Sequence, residues 1–509
     1  MASRSSDLQC VWFKRDLRIS DHRPLVEAAN AGPVLAIFII EPAVVEAPDY
    51  GEIHGVFQAQ ALRELDAALK KLGNRLVVRR GEAVEVLEAI RSEIGFQALW
   101  SHEETGNEIT YRRDREVGIW AKNRGVVWTE ISQNGVIRGL CDRDGWAGLW
   151  RERMKDAPLD APIRLRERSG QLVSEEIPNK LSNREEGWVT ETDMVGGEIE
   201  GRAVLDSFIE GRGKGYRKKM SSPVTAYDHC SRLSPYFSWG CLSIRSAVAR
   251  VREAMGKSLP RADGNSFLSR CHWHCHFMQK LEAEPEIEHH CFNRACENLR
   301  PRNPDPERLE AWCSGQTGYP FLDACMRSLR TRGWINFRMR AMLVSFAAYD
   351  LWLDWRSFKD FLARQFIDYE PGIHFSQVQM QSGVTGINTL RIYSPVKQGR
   401  DQDPSGGFIR RWVPELSSLS EDQIHEPWLV QSGELKSLDI VLGRHYPRPI
   451  VDHQTAVKKA RLAFSELRNM DEFWEEAARV NRRHGSRRPT EKRPKRRKKE
   501  SAQQEFTLQ

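Results

Sequence analysis

A stretch dense in cysteine and histidine carries Cys271, Cys275, Cys291 and Cys296, with His272, His274 and His276 interleaved. A Cys-x3-Cys spacing puts Cys271 and Cys275 on one face of a helix, and His272 and His276 on another. A structural zinc or an iron–sulfur cluster needs four ligands that converge. This spacing fits no zinc module, so no metal is expected and a partly buried helix is. A second candidate is Cys230-Ser231-Arg232-Leu233-Ser234, with Pro235 opening a helical stretch after it. It offers closely spaced backbone N–H groups and two hydroxyls, which suit a phosphate at the positive end of a helix. An ordinary helix cap uses the same residues in the same order.

The elements that would position these residues fall into two halves. A chain of 509 residues exceeds one typical core, so at least two domains are expected. Residues 9–131 alternate short apolar runs (Cys10–Phe13, Val34–Ile40, Leu76–Val78, Ala98–Trp100, Val126–Thr129) with helical patterns near 54–72, 82–94 and 107–123. Such alternation predicts a doubly wound parallel sheet, an α/β domain over 1–131. No Gly-x-Gly-x-x-Gly follows the first strand, so no dinucleotide is indicated there. Residues 132–202 are polar and weakly periodic, and read as an interdomain connector. From 203 to 480 the pattern is helical throughout: 242–256, 264–282, 306–313, 320–331, 335–351, 355–366 and 452–479. No apolar run is long enough for a membrane span and no secretory signal opens the chain, so a cytoplasmic protein, a monomer with reduced cysteines, is expected.

The formal charge of +7 is unevenly placed. Between 482 and 500 stand eleven Lys or Arg against two acids, a local +9 that leaves the remainder at −2. A disordered basic tail over 481–509 is expected, suited to nucleic acid as a nonspecific tether, or simply solvated.

The run Gly315-Gln-Thr-Gly-Tyr-Pro-Phe-Leu-Asp-Ala-Cys-Met-Arg-Ser-Leu-Arg-Thr-Arg-Gly-Trp334, leading into Ile335–Arg340, resembles the flavin-cradling core of the photolyase/cryptochrome family. Tyr227–Tyr236, Arg391–Pro395, Arg410–Leu416 and Trp12–Arg18 agree with it in order, so the resemblance covers roughly residues 9–475. It implies an all-α FAD-binding domain in the helical half. The implied FAD contacts are Tyr216, Cys230, Ser231, Arg232, Leu233, Ser234, Phe267, Arg340, Asp368, Tyr369 and Glu370. Arg340 and Asp368 would pair beside the flavin ring. Cys230 stands where the family has threonine, at the loss of one hydroxyl. A second, light-harvesting chromophore of folate, flavin or lumazine type is possible in the first domain. Asn107 and Glu108 lie where some relatives contact a folate, and equally suit a plain helix start.

The family's activity is light-driven repair of pyrimidine dimers in DNA, with the lesion flipped into a pocket over the flavin. Trp273 matches an aromatic wall of that pocket and Gln398 a residue bordering DNA. Arg270 replaces a glutamate that contacts the lesion, His274 an arginine, Val378 a second aromatic wall, and Phe337 an asparagine. Trp355 matches the middle member of an electron-transfer tryptophan chain. Arg302 replaces the outer one, and the inner one falls in the altered 371–382 segment, near Ser376. Trp352, Tyr349, Tyr369 and Tyr393 offer an alternative path. A DNA photolyase acting on dimer-bearing DNA is the leading expectation, and a cryptochrome-type photoreceptor the rival.

Overall fold

The computed structural model describes residues 8–140, 142–167, 172–184 and 192–485. Five parallel strands, β1 (Gln9–Phe13), β2 (Val34–Ile40), β3 (Leu76–Arg80), β4 (Ala98–His102) and β5 (Val127–Ile131), form one sheet in the order β3-β2-β1-β4-β5. Successive side chains leave a strand on opposite faces, and this sheet is covered on both. Val11, Phe13, Ala36 and Phe38 pack with Leu25, Phe57 and Leu62 of the Arg23–Ala31 and Glu52–Lys71 helices. Cys10, Trp12, Leu35 and Ile37 pack on the other side with Leu87, Ile90, Val117 and Trp120 of the Ala83–Ile94 and Glu108–Arg124 helices. The doubly wound domain is as expected, with β3 and β4 each two residues longer than the apolar runs.

The connector is not a loose strap. Its helix Trp146–Arg153 buries Trp146 and Trp150, each with its ring centroid 5.0 Å from that of His272. Farther on, the chain runs along the sheet domain: Val34 N donates to Arg166 O and Glu175 N to Val78 O, both at 2.8 Å. The helix Glu198–Ser207 begins before the expected boundary at 203, and the last described helix runs on to His484. The expected 335–351 helix ends its α-helical part at Ser345 and closes with a π-helical turn, Phe346–Asp350. A further helix, Pro371–Gln381, occupies a segment for which no periodicity was evident. Of the expected basic tail, residues 486–509 lie outside the described ones.

One hydrophobic core runs from the sheet face through Leu205, Phe208, Leu233, Trp239, Phe267 and Trp334, so the halves share an interior. A second core, from Leu281 to Val480, belongs to the helical half alone. No described helix is long and apolar enough to cross a membrane.

Candidate cofactor chamber

The Cys230–Ser234 loop has a backbone built for an anion. Arg232 sits at φ +56°, in the left-handed region, and Leu233 follows at φ −88°. Such an alternation turns successive N–H groups toward one side. Among the described residues, the amides of Ser231, Arg232, Leu233 and Ser234 donate to nothing in the protein. A diphosphate would engage them. From behind, the Arg212 guanidinium holds the loop, donating to Cys230 O, to Ser231 O at 3.2 Å and to Val204 O at 2.9 Å. Burial, and Arg232 nearby, push Arg212 down to about 10. Burial raises the Cys230 thiol to about 12, although Arg212, Arg232, Arg270 and Arg340 all oppose the rise. The thiol is therefore neutral, and the surrounding positive field has no thiolate to meet.

The charged pair forms as expected. Arg340 donates to both oxygens of Asp368 at 2.9 Å, with Nε to Ile335 O at 2.7 Å. A fork of this kind fixes orientation as well as charge. Glu370 is buried, with Oε2 3.7 Å from Arg15 and Oε1 without a partner. Desolvation raises its carboxyl to about 7. His274 has no hydrogen-bond partner on either ring nitrogen, and burial lowers it to about 4, so the imidazole is neutral. Asn336 Oδ1 and Ser376 Oγ are also buried without partners. His274 and Glu370 line a cleft together with Phe237, Ser238, Arg15, Gln133 and Glu104. Tyr216 opens a short helix and packs edge-on to Phe208, which in turn packs on Phe267, at centroid distances of 5.4 and 5.3 Å.

Tyr369 corrects an expectation. Its side chain turns away from the chamber: the hydroxyl donates to Asp49 at 2.5 Å and the ring stacks on His54. Asp368, Tyr369 and Glu370 alternate direction along an extended turn, so the middle residue serves the domain joint. Arg15 completes that joint, donating to Ser238 O and Tyr369 O at 2.9 and 2.7 Å. Sequence reasoning assigned no role to Arg15, although it lies inside the Trp12–Arg18 motif; that motif clasps the chamber from the sheet side. Asp263 was missed as well. Its carboxylate accepts from Gly215 N and Arg217 N at 2.9 Å each, setting the turn that carries Tyr216.

Toward the surface, Trp273 is half-buried and stacks on Phe277 at 5.6 Å. Phe337 is 49% exposed, one turn before Arg340 on the Phe337–Ser345 helix. Gln398 is buried with an unpartnered Oε1, and Val378 is buried in the second core. Trp355 is fully enclosed; its Nε1 donates to Cys291 Sγ at 3.4 Å, and the Arg356 guanidinium lies 4.5 Å from its ring centroid. Tyr349 and Trp352 meet across Phe464, at centroid distances of 5.8 and 6.4 Å.

Asn107 caps the Glu108–Arg124 helix through Thr110 N and donates to Asp49 at 2.9 Å. With Glu108, Glu282 and Glu288 it also lines a small crevice. The cysteines and histidines of the Arg261–Ala283 helix do not gather into a ligand set among the described residues. The group that does converge is Asp16, His22 and His102, where both imidazoles meet Asp16 Oδ2, at 2.9 and 2.7 Å.

The family model described as DNA photolyase matches residues 9–138, and the FAD binding domain of DNA photolyase matches 267–466. The chain belongs to the photolyase/cryptochrome family. It is 30% identical to the deoxyribodipyrimidine photo-lyase of Agrobacterium fabrum over 90% of this chain and 98% of that one. It is 29% identical to the cryptochrome DASH of Gloeobacter violaceus over 87% and 92% of the two chains. A bacterial class III photolyase structure from Agrobacterium tumefaciens superposes with TM-score 0.84 at 27% identity, covering 92% of this chain and 99% of that one. An archaeal photolyase from Sulfolobus tokodaii, solved with two FAD molecules, superposes with TM-score 0.75 at 25% identity, covering 90% and 100%. The helical half is thus a photolyase FAD-binding domain. The unused amides, the arginine field and the unpartnered polar atoms fit that cofactor.

Proposed function

We propose that this photolyase-family protein is a light-driven DNA photolyase that opens UV-induced pyrimidine dimers. The observation that carries the reading is the Phe337–Ser345 helix. It presents an exposed aromatic to solvent and, one turn later, the arginine that holds Asp368 inside the chamber. A base turned out of a duplex needs both: a surface to stack on at the mouth, and a charged, enclosed cofactor site behind it. Trp273 and Gln398 support the same reading, as does the similarity to proteins named as photo-lyases.

When bound, the reduced flavin supplies the photoexcited electron that splits the dimer. The chain's own share is positional. The Ser231–Ser234 amides would hold the diphosphate, and Arg340 with Asp368 would flank the ring. Glu370, in its protonated form, would offer a hydrogen bond from within the wall. Phe337, Trp273 and Gln398 would receive the displaced base, while Arg270 and His274 stand where relatives use other residues. Trp355, enclosed away from solvent, would act as the middle member of an electron-transfer path. The crevice of Asn107 and Glu108 would take an accessory chromophore, and the +9 segment would contact DNA phosphates. Deleting 486–509 should then reduce the salt dependence of DNA binding.

Illumination of the reduced protein with dimer-bearing oligonucleotides, scoring cyclobutane and (6-4) products separately, tests the proposal. No loss of either lesion would end it. The rival reading, a cryptochrome-type photoreceptor, is supported by the relatives named cryptochrome DASH. It predicts a light-dependent change in proteolysis of the C-terminal residues, and identical digestion in light and dark would count against it.

A further inference from the structure

We infer that the row Arg411, Trp412, Arg332, Tyr227 and Arg232 clamps the phosphate backbone of DNA beside the displaced base. The inference rests on the photolyase reading above and deepens it, by naming the surface that grips the strand.

Guanidinium and ring alternate along this row. The guanidinium carbons of Arg411 and Arg332 lie 5.2 and 5.3 Å from the Trp412 ring centroid. Arg332 also lies 4.3 Å from the Tyr227 centroid, and Arg232 4.7 Å from the same ring. Four segments meet to build it: the ends of the Gly407–Trp412 and Pro320–Arg332 helices, the Pro223–His229 helix and the Cys230–Ser234 loop. The rings are anchored from within. Tyr227 meets the buried Trp334 edge-on at 6.0 Å, and its hydroxyl donates to Asp193. Trp412 packs on Phe408 at 6.3 Å, and its carbonyl accepts from Arg327 at 3.3 Å. Arg411 is exposed, and the other four members are partly so.

Arg327, five residues before Arg332 on the same helix, shows how a structural arginine is held. Its donors go to Gly315 O at 3.0 Å, to Trp412 O and to Glu415 at 2.7 Å. Arg332 is held by two ring faces instead. Such contacts restrict the side chain through its charge and plane, and leave its N–H edge to meet an anion. A guanidinium fixed in advance loses little further freedom on binding, and its fork matches phosphate. Cations interleaved with aromatic rings are the composition that tracks a nucleic-acid strand.

The row also lies where a strand would pass. Asn336, immediately before the exposed Phe337, donates to Met220 O and Ser221 O at 3.1 and 2.7 Å. The helix that carries Tyr227 starts two residues after that joint, and the exposed Arg217–Lys219 run ends just before it. Positive charge thus collects beside Phe337, in a chain that sums to −2 outside residues 482–500.

Wild type, Arg332→Gln, Arg411→Gln and the exposed control Lys122→Gln, each loaded with FAD, are compared for binding to dimer-bearing duplex across a salt series. Each row variant should lower the slope of log affinity against log salt by about one, and Lys122→Gln should match wild type. In a second series, single phosphates flanking the dimer are replaced one at a time by neutral methylphosphonates. Wild type should lose affinity at particular positions on one side of the dimer, and a row variant should lose no more there. If Arg332→Gln does not fold, the exposed Arg411→Gln carries the test. Unchanged phosphate sensitivity in the row variants would overturn the inference whatever the slope, and would leave the photolyase reading standing if light still removes the dimer. Wild type that neither binds dimer-bearing DNA nor repairs it would overturn both.

Discussion

Two regions of this molecule differ in how their polar groups are satisfied. At the carboxyl edge of the sheet, where doubly wound folds bind ligands, the groups complete one another. Lys14 pairs with Asp114 at 3.1 Å, and Arg113 with Glu41 and Glu104 at 2.8 and 2.6 Å. Asp16 accepts from His22 and His102. In the helical half several buried side-chain groups are unfinished: Glu370 Oε1, Asn336 Oδ1, Ser376 Oγ and both nitrogens of His274. A buried polar group without a partner is costly, so this set marks the place where a ligand completes the fold. The ionic groups of Lys14, Arg113 and Asp16 pair with one another, while the FAD-binding domain lies in the helical half.

The contrast can be broken most forcefully at Arg113. Arg113→Met leaves Glu41, Glu104 and Asp114 buried with Lys14 as their remaining cation, and should cost about 3–5 kcal/mol of stability. Thermal unfolding should register that loss, while the flavin absorbance of the surviving folded protein stays at the wild-type level. Asp368→Asn should behave oppositely in kind. Its stability loss should be smaller, about 2–3 kcal/mol, because Arg340 keeps some solvent contact. Bound flavin, scored by absorbance after purification, should drop sharply.

Glu370 sharpens the comparison through pH. Its folded-state pKa of about 7 lies above the ordinary 4.5. The folded chain therefore holds the extra proton between those values, and the cofactor-free protein should lose stability as pH rises from 4.5 through 7. Glu370→Gln should flatten that decline and add up to about 3 kcal/mol above pH 7, read as the Tm difference between pH 5 and pH 8. The smallest effect is expected at Asn107. Asn107→Ala removes a helix cap worth about 1 kcal/mol and the bond to Asp49, with FAD content unchanged.

Much of the frame was legible because it rests on periodicity. The strands, the long Arg261–Ala283 helix and the Arg340–Asp368 pairing follow from apolar patterning and from the family resemblance. The Pro371–Gln381 helix was not legible. It is buried on most sides, so its residues carry no amphipathic stripe. The Trp146–Arg153 helix was hidden by the polar sequence around it, and its two tryptophans announced burial without saying against what. Tyr369 was misdirected, since adjacent residues on an extended turn face opposite ways and only the neighbouring domain shows which faces in.

By itself, the sequence determined the two-part architecture, the anion-ready loop and the family, because propensity, patterning and short motifs act locally. The tertiary structure decided which charges neutralise one another and which are left over. Lys14 and Asp114 lie 100 residues apart and meet, and Arg340 meets Asp368 twenty-eight residues on. Neutralisation depends on distances of a few ångströms between segments remote in the chain, and no local pattern encodes those.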